Sequence, residues 1–452
     1  MMRTMAAFLV LLSACTSQGA NIGGGWHTVV DTPPEPIEAI DILFVIDNSG
    51  SMQNDQYALV SAAGQQLFAQ LEVELGGMPD LHLGVVSTDL GAGPYPISGC
   101  TGTGDNGIFQ SARGDAAPVD CTGPTDSYIV DIDDGAGGRI RNYDPVQGLA
   151  GTFSCIGRLG ITGCGFEQPL EAMRRALDGT NPENAGFLRD DAFLLVVLLT
   201  DEDDCSAFDT AMFDTASTMP DDPLGALSSF RCFEYGVRCD PDNPRTLGAK
   251  QDCVTRDDSP YMTPVDDFAA FLATQKTDPS LVMLAGIVPP PGPVAVVGAQ
   301  ETGNPVLGEA CTPPPIPCPP EEPDCSQGPV QPAVRLDAII HSFPARYAFE
   351  PMCDDTTANM LSRIARTAAG VMAGDSCLLG DRLPLDAACR AFDVVGNERT
   401  AIPPCGDGDG TCFLLVEDLG RCGYTPSRIR VHVQRNVPPP AGARLLVECL
   451  GN

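Results

Sequence analysis

Ile42-Leu43-Phe44-Val45-Ile46-Asp47-Asn48-Ser49-Gly50-Ser51-Met52 is the stretch on which the fold turns. Apolar residues run from position 40 to Ile46, after a single acidic interruption at Asp41, and stop at Asp47. Such a run predicts a strand buried on both faces, at home in the middle of a parallel sheet. After a polar turn, Leu59, Ala62, Ala63, Leu67, Phe68 and Leu71 recur at helical spacing. Strand, loop and helix in that order predict an α/β sheet whose ligand-binding edge carries residues 47–51. Asp47, Ser49 and Ser51 present carboxylate and hydroxyl oxygens at alternate loop positions. These are hard ligands suited to Mg²⁺ or Ca²⁺, with Mn²⁺ also admissible. Gly50 is expected to permit the sharp turn. The bland alternative is a turn with Ser51 as a helix cap.

Outward from this stretch, residues 81–86, 192–199 and 281–288 read as further strands, and 167–177, 266–273, 336–343 and 356–369 as helices. The almost wholly apolar run 192–199 ends in Thr200-Asp201-Glu202-Asp203-Asp204. Three stretches interrupt the pattern, at about 91–160, 206–264 and 292–331, and all carry cysteines. The first is too long for an ordinary connection, so a hairpin or disulfide pinning is expected there, with 127–132 as its best strand. Beyond residue 370 the periodicity shortens to strand-like segments at 412–416, 429–434 and 444–449. The expected organisation is a signal segment 1–14, a tether 15–38, an α/β domain 39–370 and a small cysteine-containing β-rich extension 371–452.

Composition narrows the partners. Lysine plus arginine number 26 against 60 acidic residues, a net charge of −34, which disfavours nucleic acid and anionic lipid headgroups. There are 19 cysteines and 4 histidines, with no paired C-x-x-C pattern, so a disulfide framework is expected rather than structural zinc. At the amino terminus, Arg3 precedes an apolar run too short to span a bilayer, followed by Ser13-Ala14-Cys15. Leu12-Ser13-Ala14-Cys15 resembles a bacterial lipobox, which implies cleavage before Cys15 and its acylation. Thr16 follows in place of the aspartate that, in enteric-type bacteria, would permit transport to the outer membrane. A plain secretory signal or a buried core segment is the alternative. Removing Cys15 leaves 18 cysteines, an even number, as a disulfide framework requires.

The stretch 42–52 resembles the first strand and metal loop of von Willebrand factor A-type (VWA) domains, whose D-x-S-x-S motif belongs to a metal-ion-dependent adhesion site. The resemblance implies a Rossmann-like open, mostly parallel sheet with helices on both faces. It gives Asp47, Ser49 and Ser51 the three motif roles, the serines ligating directly and the aspartate through water. It also implies a threonine from a second loop, for which Thr162 is the candidate, and an aspartate after the buried fourth strand, Asp201. Glu202, Asp203 and Asp204 are expected mainly at the solvated surface, although another of these carboxylates could be the ligand or hold a second cation. Lipobox and stapled domain together look like secreted lipoproteins of Gram-negative bacteria, notably myxobacterial lineages.

The expected function is metal-dependent binding of a protein or extracellular surface ligand, one presenting a carboxylate for example, by an outer-membrane lipoprotein facing periplasm or cell surface. An envelope scaffold with a metal-stabilised fold is the first alternative, and a metal-assisted hydrolase the second. No G-x-S-x-G elbow, H-E-x-x-H helix or P-loop accompanies the site, so an enzyme is not expected. Asp407-Gly408-Asp409-Gly410 reads as an acidic disulfide-closed turn rather than a Ca²⁺ loop. Asp131, Asp133 and Asp134 read as a polar strand end, and His27, His82, His341 and His432 as a set without a cluster.

Overall fold

The computed structural model describes residues 25–33, 35–316, 328, 330–379, 383–406 and 410–450. Cys15 with the signal segment, the first part of the tether, Cys318, Cys325 and residues 407–409 lie outside them. The centre is a seven-stranded sheet in the spatial order Tyr347–Pro351, Val282–Val288, Phe193–Leu199, Ala39–Ile46, Asp80–Ser87, Ile129–Asp133, Arg139–Arg141. The first five run parallel, and the last two add an antiparallel hairpin at one edge. An α/β chain with a mostly parallel sheet is therefore present.

Alternation along the central strand builds two cores. Ile40, Ile42, Phe44 and Ile46 pack with Leu59 and Ala63 of the helix Gln53–Ala63 and with Leu361 and Ile364 of Thr357–Met372. Leu43 and Val45 face the other way, toward Leu170, Phe268 and Leu336 of Pro169–Leu177, Val265–Ala273 and Val334–His341. Every residue of Phe193–Leu199 is buried. Each such side chain contributes about 1.5–3 kcal/mol relative to exposure. From Ala39–Ile46 the chain crosses to Asp80–Ser87 on one side and later returns to Phe193–Leu199 on the other. The loops after Ile46 and Leu199 therefore meet at a topological switch point, where open α/β sheets bind ligands.

Several segments differ from expectation. Trp26–Asp31, placed within the tether by its sequence, is a strand antiparallel to Arg444–Leu450, in one sheet with Cys389–Val395 and Glu398–Ile402. Its partner is remote in sequence, so no local pattern betrays it. Within 206–264 and 292–331, Val237–Asp240 and Gly248–Thr255 join Val294–Gly298 and Pro305–Leu307 in a second small sheet. Asp131, read as part of a polar strand end, lies mid-strand, is 3% exposed and accepts from Arg139, Arg141 and Tyr143. Eight disulfides tie the described residues, as the cysteine count and export reading anticipate. Among these residues no helix is long and apolar enough to cross a membrane.

His82 is more than an ordinary strand side chain. Its Nδ1 lies 2.8 Å from the Phe187 carbonyl, and burial holds its pKa below the usual 6.5. The unfolded chain then takes up the proton more readily than the folded one. Stability from this group is fully present above pH 6.5 and is lost as pH falls below it. Urea unfolding at about pH 7.5 and about pH 5.5 is expected to show a smaller acid loss in His82→Gln than in the parent.

Candidate metal centre

Asp47 leaves the end of the central strand with its amide bonded to the Leu199 carbonyl at 2.9 Å, which locks the two switch-point loops together. Its side chain is fully buried. Oδ1 accepts from the Ser49 amide at 2.7 Å and Oδ2 from the Thr200 hydroxyl at 2.7 Å. The Ser49 and Ser51 hydroxyls stand 3.3 Å apart, and Ser51 hydrogen-bonds the Asp201 carboxylate. Asp47, Ser49, Ser51 and Asp201 are thus brought together. Ser49 and Asp201 form a buried floor, whereas Gly50 and Ser51 are exposed at the rim. Gly50 proves dispensable for the turn. Its backbone is not left-handed, and a Cβ there would meet nothing within 4 Å.

The second loop arrives differently from expectation. Thr162 is exposed, and beside it the Gly163 amide donates to the Asn48 carbonyl at 2.9 Å. Gly163 lets the loop approach closely, since a Cβ there would come within 2.2 Å of the Asn48 side chain and force it to move. The residue of this loop that reaches the carboxylates is Glu167, 2% exposed and hydrogen-bonded to Glu202. Its carbonyl accepts from the Cys205 amide at 2.7 Å. The helix that follows is docked on the same loop, its Leu170 amide donating to Asp204 at 3.2 Å and its Glu171 amide to the Ser206 hydroxyl at 2.9 Å. Cys100–Cys164 and Cys205–Cys232 staple the two loops from behind. A helix expected from residue 167 begins instead at Pro169, which leaves Glu167 outside the first turn and free to face the loop. Proline at a first helical position was the signal that could have found it.

Asp204 is not a surface group, and Asp203 is only partly exposed. Asp204 is fully buried and pairs with the equally buried Arg335, Oδ2 to Nη2 2.9 Å. Asp203 accepts from the backbone amides of Arg335 and Leu336 at the start of Val334–His341. Both carboxylates therefore brace the loop.

The remaining four acids crowd one another. Burial, then Asp201, pushes the Asp47 carboxyl up to about 7, against hydrogen bonds from Ser49 and Thr200. Desolvation, then Asp201 and Asp47, raises Glu202 to about 8. Glu167 is raised well above the usual range by burial and by Glu202. Burial raises Asp201 as well. Its Oδ1 is buried with no hydrogen-bond partner, an orphaned acceptor in a residue 8% exposed.

An orphaned carboxylate oxygen beside two hydroxyls and a second buried carboxylate fits a hard divalent cation. Among the described residues no three His, Cys, Asp or Glu side chains converge as a metal cluster. The candidate donors here are two carboxylates, Asp47 and Asp201, and two serine hydroxyls, Ser49 and Ser51.

A cleft of about 570 Å³ lies elsewhere, between the edge strand Tyr347–Pro351 and residues 423–428. Its Glu350 and Asp355 are both paired with Arg363, so it lacks the orphaned donors of the switch point.

No protein-family model matches the sequence, and no curated protein matches it. Over 93% of its length the chain is similar to the pilus adhesin SpaC from Lactobacillus rhamnosus GG in its open conformation, at 10% identity and a TM-score of 0.30, spanning 39% of that adhesin chain. A likeness at that score carries no argument about fold or function.

Proposed function

We propose that this chain is a VWA-type binding protein of the bacterial cell envelope, held by a lipid on Cys15, that engages a protein or surface ligand through a divalent cation at Asp47, Ser49, Ser51 and Asp201. The observation that carries the proposal is the juxtaposition at the switch point. Two buried carboxylates from adjacent parallel strands share a loop edge with two serine hydroxyls, and Asp201 Oδ1 lacks a donor. The doubly wound order of the sheet with an antiparallel edge hairpin supports the VWA assignment. The disulfides support an oxidising compartment.

Bound there, Mg²⁺, Ca²⁺ or Mn²⁺ would supply an open coordination position for an oxygen of the partner, such as a carboxylate. The chain's own residues do the rest. Thr200 and the Ser49 amide hold the Asp47 carboxylate in one orientation. Gln56 fastens the base of the loop by donating to the carbonyls of Asp47 at 2.7 Å and Gly160 at 2.9 Å. The exposed rim at Gly50, Ser51 and Thr162 is where a partner surface would dock. We read the chain as a binder and not an enzyme, because no G-x-S-x-G elbow, H-E-x-x-H helix or P-loop accompanies the loop.

Pull-down from cell envelopes is the test. Partner capture is expected to be lost in EDTA, restored by Mg²⁺ or Ca²⁺, and reduced about tenfold or more by Ser49→Ala. Capture that persists after verified metal removal would sink the proposal. Metal-dependent stability without a metal-dependent partner would point to a scaffold.

A further inference from the structure

We infer that the outer edge of the central sheet, at Tyr347–Pro351, is a second docking site, one that takes an extended peptide with apolar side chains at alternate positions as an eighth strand. It stands apart from the metal-site reading and needs no cation.

The pairing of this strand leaves its outer side open. Tyr347–Pro351 lies outermost in the sheet, parallel to Val282–Val288. The Leu284 amide donates to the Arg346 carbonyl at 3.2 Å and the Met352 amide to the Val288 carbonyl at 3.0 Å, so residues of even number turn their backbone inward. Those of odd number turn theirs outward. Neither the amide nor the carbonyl of Phe349 has a partner among the described residues. Such an edge is a template for another chain.

What surrounds the edge selects the occupant. All five residues of the strand line the cleft of about 570 Å³, which therefore opens on the edge itself and not on one face of the sheet. On one face His341, at the end of Val334–His341, makes a wall with Tyr347 and Phe349, its ring centroid 4.8 and 5.2 Å from theirs. On the other stand Arg363 and Thr367 of Thr357–Met372, with Tyr424 packed against Gly370 of that helix. Walls on both faces bar a second folded sheet but admit a single extended chain at the strand spacing of about 4.7–4.9 Å. The volume lies within the range of about 300–1,000 Å³ typical of ligand clefts. Side chains alternate across an extended chain, so every second one meets the half-buried rings of Tyr347 and Phe349 and gains by being apolar. Main-chain hydrogen bonds give this mode of binding its affinity, and the wall of rings gives it a preference.

The test is fluorescence anisotropy of the full chain with a labelled, capped six-residue peptide alternating phenylalanine and serine. Two further copies of the peptide are N-methylated, each at one set of alternate amides. The parent is expected to bind the plain peptide saturably, and equally well in EDTA. One N-methylated copy is expected to bind about tenfold more weakly and the other within about twofold, because only one edge of the peptide faces Phe349. Phe349→Pro removes the outward amide without touching the ladder, so it is expected to weaken binding about tenfold beyond Phe349→Ala, which removes the ring alone. Should either variant fail to fold, the two N-methylated copies on the parent decide. Absence of saturable binding, equal effects of the two N-methylations, or loss of binding in EDTA overturns the inference and leaves the metal-site reading as it stands.

Discussion

Arg335→Met is expected to destabilise the fold by about 3–5 kcal/mol, because it strands a buried carboxylate. Both partners of the Arg335–Asp204 pair are fully buried, and Nε and Nη2 both donate to Asp204 Oδ2, at 3.1 and 2.9 Å. Methionine fills most of the volume but donates nothing. Asp204 would keep the Ser206 hydroxyl at 2.5 Å and the Leu170 amide at 3.2 Å, so the lower part of that range is the better target. Adding Asp204→Asn removes the stranded charge and is expected to recover more than half of the loss. Urea unfolding measures both. A loss below about 1 kcal/mol would mean that water reaches Asp204 and that the pair is effectively exposed. Because Asp204 also receives the Leu170 amide in the first turn of the helix Pro169–Leu177, the folded variant is expected to bind cation more weakly.

Asp41→Ala is expected to cost a similar amount, about 3–5 kcal/mol, with a different signature. Asp41 interrupts the central apolar strand and is fully buried. It accepts from the Arg189 Nε at 2.8 Å, the Arg189 amide at 2.9 Å and the Lys276 ammonium at 3.0 Å. Lys276 is 1% exposed at its side chain, so alanine leaves an ammonium in the interior beside the Arg189 carbonyl with no carboxylate partner among the described residues. Asp41 and Asp47 are six residue steps apart along the strand, about 20 Å at the rise of an extended chain. Cation affinity of the folded fraction should therefore be unchanged, in contrast to Arg335→Met. A drop in affinity equal to that of Arg335→Met would show that the two ends of the sheet are coupled.

The central sheet was legible because its strands announce themselves locally. The runs at 40–46, 81–86, 192–199 and 281–288 become Ala39–Ile46, Asp80–Ser87, Phe193–Leu199 and Val282–Val288. Burial on both faces demands continuous apolar side chains, and that demand is written residue by residue. Tyr347–Pro351 escaped because an edge strand of five residues ending in proline needs no such run. Trp26–Asp31 escaped because its pairing depends on Arg444–Leu450 at the other end of the chain.

The candidate site divides along the same line. Asp47, Ser49 and Ser51 belong to one contiguous loop whose spacing carries the chemistry. Asp201 could be read from the strand that delivers it. Glu167 could not be read from spacing to Asp47, because what brings it inward is a helix start at Pro169 and the capping of that helix by Asp204 and Ser206. The roles of Asp203 and Asp204 depend on Arg335, more than a hundred residues away, which no local pattern could announce.

The strand Trp26–Asp31 also fixes how the molecule would bear tension. A pull arriving from the N-terminal side meets its ladder with Arg444–Leu450 first, and a pull along the strand loads those rungs together, in shear. The Cys389–Cys449 bond ties that neighbour covalently to the next strand, and Asp31 passes load onward through Arg346 and Arg444. The C-terminal sheet thus stands in series between the N-terminal side of the described chain and the central seven-stranded sheet, a mechanical clamp ahead of the edge that carries Asp47 and Asp201.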